Sequence, residues 1–128
     1  MSVFKAIAMI KRKKGTTMEQ FMDYYENNHA PLAMKYVPNL KKYVRHYIRP
    51  YGNDVYEKVE APYDVITELW FDDREDFEKG MAYLTDEKTA AIIAEDEEKV
   101  FDRSSIMFMT MEDRETEINY DFDEKAYK

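Results

Sequence analysis

Residues 3 to 11 (VFKAIAMIK) alternate like a strand, yet both of the faces this makes, Val3/Ile7/Met9 and Phe4/Ala6/Ala8/Ile10, are largely apolar. A half-exposed strand would alternate apolar with polar, so this one must be covered on both sides. Residues 64 to 71 (DVITELWF) and 104 to 111 (SSIMFMTM) repeat the pattern, with Trp70, Met107 and Met109 adding to the apolar surface. Helices cover one side of such a sheet, and a second copy of the sheet is the simplest cover for the other, because closed two-fold dimers are the commonest assembly. The methionines at 107, 109 and 111 read as packing for that interface.

The elements between these strands define the order. Thr17 with Gln20 three residues later is a capping-box pair that starts a helix over 17 to 36. Phe21, Tyr25, His29 and Leu32 fall on its inward stripe, and Pro31 predicts a kink just after His29. Pro38 and Asn39 turn the chain into a strand over 40 to 49, with Leu40, Val44, His46 and Ile48 on one face and Tyr43, Arg45, Tyr47 and Arg49 on the other. Gly52, Asn53 and Asp54 open a polar, hairpin-like excursion that Pro62 closes. After the third strand, Asp72 and Asp73 cap a helix that buries Phe77, Met81 and Leu84. A further helix over roughly 86 to 99 turns Ala90, Ile93 and Ala94 inward and carries a charged outer face.

The order β, α, β, β, α, β, with the second α split, predicts an α+β, ferredoxin-like domain: an antiparallel sheet with helices on one face, pairing into a dimeric barrel. The expected boundaries are 1–112 for this domain and 113–128 for an acidic C-terminal tail. From 112 onward, seven carboxylates stand against Arg114, Lys125 and Lys128, −4 of the total net charge of −8. Ile118, Tyr120, Phe122 and Tyr127 are all this tail offers as anchors.

Charge and composition narrow the function. An acidic chain lacks the electrostatic attraction that dominates binding to nucleic acid or anionic membrane. Lys11, Arg12, Lys13 and Lys14 read as a solvated turn, with anion binding the lesser alternative. A ferredoxin-like RNA-binding module is disfavoured further because DVITELWF lacks a Lys/Arg-Gly-aromatic base-stacking pattern. With no cysteine, thiolate metal sites, disulfides and cysteine nucleophiles are excluded. Glu26 and His29 form a single E-x-x-H pair without the second carboxylate helix that a di-iron bundle needs. The three isolated glycines build no phosphate loop, so no nucleotide cofactor is expected. Lys5 interrupts the first apolar stretch, so no signal peptide is read, and a cytoplasmic location is the expectation.

Eleven tyrosines are more than packing needs, and they suit the walls of a pocket that is partly wet. His29 is the candidate acid or base. Tyr25, Tyr43, His46, Tyr47, Glu68 and Trp70 are the candidate substrate-binding residues. Glu68, central in an apolar strand, needs a partner, and Arg45 or Arg49 is the bland choice.

The opening strand with IKRKKGTTMEQFMDYYENNHAPLAMKYVPNLKKYV, and later ELWFDDREDF, resembles the EthD family of dimeric α/β barrel proteins across roughly residues 5 to 110. His-Ala-Pro-Leu at 29 to 32 is the most specific part. The resemblance implies a homodimer, a hydrophobic cavity between sheet and helices in each subunit, and a role for His29 as the family's helix histidine. It also implies a setting in catabolism of ethers or aromatics, or in polyketide tailoring. The family often has Asn-His on the second strand where this chain reads His46-Tyr47, so the polar group offered to the cavity differs.

The functional expectation is a cofactor-independent lyase or isomerase, of decarboxylation or cyclisation type, acting by proton transfer on a small hydrophobic oxygenated molecule. The rival is a non-catalytic accessory protein that binds such a molecule for a partner oxygenase.

Overall fold

The computed structural model describes residues 3–52, 55, 60–119 and 121–128. Asn53 and Asp54 of the expected polar excursion, and Tyr120 of the tail, lie outside the described residues. The elements run β1 (Phe4–Arg12), α1 (Met18–Tyr24), a π-helical turn (Tyr25–His29), α2 (Ala30–Tyr36), β2 (Lys42–Tyr47), β3 (Val65–Phe71), α3 (Arg74–Leu84), α4 (Glu87–Val100) and β4 (Phe101–Thr110). The four strands form one antiparallel sheet in the order β2-β3-β1-β4, the ferredoxin-like arrangement.

Alternation in the two central strands sorts the sheet into an inner and an outer face. Ala6, Ala8 and Ile10 of β1 and Val65, Thr67, Leu69 and Phe71 of β3 are buried against the helices. Ile7, Met9, Ile66, Glu68 and Trp70 point the other way and are only half-buried. On β4 the outer face carries Met109 and Met107, the latter 46% exposed.

Local chemistry explains where the elements begin. The Thr17 hydroxyl accepts from the Gln20 N–H at 3.1 Å and the Gln20 side chain accepts from the Thr17 N–H at 2.9 Å, completing the capping box. Thr17→Ala removes the first of these bonds and should lower stability by about 1 kcal/mol, read as a fall in Tm. An unchanged Tm would mean that the turn, not the cap, sets the start of α1. The basic stretch 11 to 14 ends β1 and turns through Gly15, whose φ of 84° suits a residue without Cβ. Asn39 (φ 66°) ends the turn before β2.

Two boundaries differ from the sequence expectation. The strand expected over 40 to 49 is hydrogen-bonded only from Lys42 to Tyr47. β4 starts at Phe101, directly after α4, and not at 104. Its register against β1 shifts between Met9 and Lys11, and the Ser105 hydroxyl there accepts from the Lys11 N–H at 2.8 Å. A bulge of this kind lets a polar run such as Asp102 to Ser105 stay within the strand.

The tail leaves β4 with Asp113 paired to Lys5 at 2.6 Å, and ends in a 3-10 turn at Glu124–Tyr127. Ile118, Phe122 and Tyr127 are exposed, the last two stacked at 5.8 Å. Among the described residues no helix is long and apolar enough to cross a membrane.

Candidate functional site

The helix bearing His29 is interrupted where Pro31 predicts it. Pro31 has no N–H for the carbonyl of Asn27, and its ring would crowd that carbonyl. The backbone answers with one wide turn, Tyr25–His29, closed by the Ala30 N–H on the Tyr25 carbonyl. Tyr25 (1% exposed) and His29 (5%) are thereby both directed inward. Their rings meet edge to face at 5.5 Å, and Phe101 packs edge-on against both, at 5.1 and 4.9 Å.

His29 Nδ1 lies 2.8 Å from Asp96 Oδ2 on α4, and the Tyr24 hydroxyl donates to Asp96 Oδ1 at 2.6 Å. A carboxylate only accepts, so Nδ1 carries the proton in this pair and Nε2 is the nitrogen free to act as a base. Burial, with the Asp96 hydrogen bond second, pushes the Tyr24 hydroxyl up to about 12, so it stays a donor at physiological pH. The unit Tyr24–Asp96–His29 can hold an imidazole in one tautomer and orientation, the requirement for acid–base chemistry.

His29 is part of the lining of a cavity of about 120 Å³ between the helices and the inner face of the sheet. Tyr25, Tyr43, Thr67 and Glu97 line it together with an apolar wall of Ala8, Ile10, Leu69, Ile93 and Ile106. The Tyr25 and Thr67 hydroxyls are hydrogen-bonded at 2.7 Å, and Tyr43 donates to Tyr25 over a long 3.4 Å. Desolvation raises both phenols above their ordinary pKa, which keeps them neutral.

Tyr47 shares this inner face, but its hydroxyl bonds Glu26 and it does not line the cavity. Arg45 grips Glu26 with two hydrogen bonds, at 2.6 and 2.8 Å, and lies over the Tyr43 ring at 4.7 Å. Its guanidinium holds the Glu26 carboxyl below the usual carboxylate range. A depressed folded-state pKa stabilises above the unfolded value of about 4.3, and that contribution is lost as pH falls through the folded value. Arg45→Met should therefore lower stability at pH 7, and the difference from wild type should shrink below about pH 4. A difference that does not vary with pH would assign the loss to packing over Tyr43.

His46, Glu68 and Trp70 occupy the outer face of the sheet and are not brought together with His29. His46 Nε2 bonds Glu68 Oε2, and the Trp70 indole donates to Glu68 Oε1 at 3.1 Å. Hydrogen bonding to His46 lowers the Glu68 pKa. The partner of Glu68 is thus His46, not Arg45 or Arg49. Lys5 and Lys42 lie over the Trp70 ring at 4.3 and 4.6 Å.

Sequence reasoning missed Asp96, Tyr24 and Thr67. Asp96 sits in the run Glu95–Glu98, which reads as a solvated face. Its spacing of three from buried Ile93 is the signal that it faces inward.

The model of the EthD domain matches residues 13–104. The chain belongs to the EthD family. No curated protein sequence matches it. Among solved structures, this EthD chain is similar to an ethyl tert-butyl ether D (EthD) family protein from Bacillus halodurans, with 22% identity, a TM-score of 0.61, and coverage of 88% of this chain and 100% of that one. An EthD-like protein from Ralstonia eutropha is 16% identical, with a TM-score of 0.58, covering 87% and 89%. SnoaB, a cofactor-independent oxygenase from Streptomyces nogalater, is 9% identical, with a TM-score of 0.54, covering 91% and 97%. At these identities the structures establish the shared ferredoxin-like fold of the EthD chain.

Proposed function

We propose that this EthD protein is a cofactor-independent lyase or isomerase that moves a proton on a small hydrophobic oxygenated molecule held in the cavity. One observation carries the reading: a buried imidazole whose Nδ1 is held by Asp96 lines a cavity that Tyr25, Tyr43 and Thr67 also line. In this role His29 Nε2 takes or returns the proton, and the neutral phenols stabilise charge that develops on the substrate oxygen. The apolar wall excludes water, which strengthens both effects. A substrate that carries its own carbonyl supplies the electron sink.

SnoaB, described as a cofactor-independent oxygenase, offers a parallel for chemistry without a cofactor on this fold. The test is mass spectrometry of small molecules released from denatured, freshly purified protein, followed by turnover of the released compound. A compound that the protein neither converts nor equilibrates with solvent protons would assign the protein to ligand holding.

A homodimer belongs to the same proposal. Ile7, Met9, Val44, Ile66, Met107 and Met109 form an apolar strip on the outer face that a second sheet would bury. Light scattering at micromolar concentration should give about twice 15.4 kDa, and Met109→Glu should shift the population to monomer. A monomeric wild type would contradict the pairing.

A further inference from the structure

We infer that the cavity selects a neutral molecule that presents a hydroxyl-bearing ring, a phenol or its enol equivalent, over carboxylates and over hydrocarbons; the inference rests on the site proposed above. Three independent features of the cavity lead to it.

The first is size. Its volume is about 120 Å³, and an apolar cavity of roughly 150 Å³ takes one benzene molecule. A space of this order seats about one six-membered ring, and because it opens to solvent, any further part of a ligand would extend through its mouth. Phe101 (3% exposed) and Ile93 (9%) give it a close-packed inner wall, whereas Phe108, at 44%, lies on its open side.

The second is the hydrogen-bonding inventory. Because Nδ1 is committed to Asp96, Nε2 is the imidazole nitrogen left to meet a ligand. Tyr43 spends its hydroxyl proton on a 3.4 Å contact with Tyr25, too long to be strong, and so has a proton to offer to something better. A hydroxyl on the ligand answers both demands, since it donates through its hydrogen and accepts through its lone pairs. A hydrocarbon answers neither, and a carboxylate brings no donor for Nε2.

The third is charge. Among the described residues that line the cavity there is no lysine or arginine, while Glu97, whose carboxylate pairs with Arg103 outside the lining at 3.3 Å, is one of them. An anionic ligand would be desolvated beside a like charge without a fixed counter-ion.

The experiment titrates isotope-labelled wild-type protein with phenol, benzene and benzoate at pH 7.5, following amide and imidazole NMR signals. Phenol should shift the signals of Tyr25, His29 and Phe101 saturably. Benzene should bind more weakly by about tenfold or more, the value of at least one hydrogen bond, and benzoate should leave these signals in place. Benzene binding as tightly as phenol would overturn the hydroxyl preference, benzoate binding more tightly would overturn the charge preference, and phenol shifts confined to residues away from the cavity would overturn the site. Each arm reads binding alone. A protein that holds phenol as described yet leaves its natural ligand free of solvent deuterium would refute proton transfer and leave the ligand class standing.

Discussion

His29→Gln is expected to leave a folded protein that has lost about 10²- to 10⁴-fold in turnover of its ligand. Glutamine is close to histidine in size and keeps a hydrogen-bonding group near Asp96, so packing against Tyr25 and Phe101 is largely preserved. It does not titrate near neutrality, so proton transfer is what disappears. A histidine retained only to brace the wide turn before Pro31 would give the opposite pattern: turnover close to wild type in any variant that folds. Circular dichroism with a turnover assay on the released ligand separates the two.

Asp96→Asn has the second large effect, and it acts through His29. The carboxylate accepts from both His29 Nδ1 and the Tyr24 hydroxyl, so it fixes which ring nitrogen bears the proton. An amide can turn its NH₂ towards Nδ1, which releases the tautomer and leaves Nε2 protonated in part of the population. Loss of an orienting carboxylate of this kind lowers turnover by on the order of 10²-fold or more. Imidazole ¹⁵N spectra should show one tautomer in wild type and a mixture in the variant, a readout that a purely structural role for Asp96 would not move. Asp96→Ala should add a stability loss of about 1–3 kcal/mol, because buried donors are left unsatisfied. A single, unchanged tautomer in the Asn variant with full turnover would remove Asp96 from the site.

Much of the architecture was legible because its causes are local. The Thr17–Gln20 capping box, Pro31 in the helix, Asp73 as an N-cap and strict alternation in DVITELWF each act within a few residues. Alternation also put Glu68 with Trp70 and Ile66, and Tyr43 with Arg45 and Tyr47, on the faces they occupy. It could not say which face meets the helices, because β1 and β3 are apolar on both. His46, Glu68 and Trp70 therefore read as candidates alongside His29, while the sheet lies between the two groups. Asp96 was hidden for a different reason: its partner, His29, is 67 residues away in sequence, and no local pattern encodes that contact. The start of β4 at Phe101 was obscured by Asp102, Arg103 and the two serines, whose polarity a bulge accommodates.

The central claim is that this cavity moves protons, and solvent-deuterium incorporation into the ligand tests it most directly. Wild-type protein incubated in D₂O with the compound it carries should return that compound, or its product, with deuterium at a carbon next to the oxygenated one, as reversible formation and protonation of an enolate in the site gives. Recovery of the compound intact and unlabelled above the rate without protein would contradict the account and leave a protein that only holds its ligand.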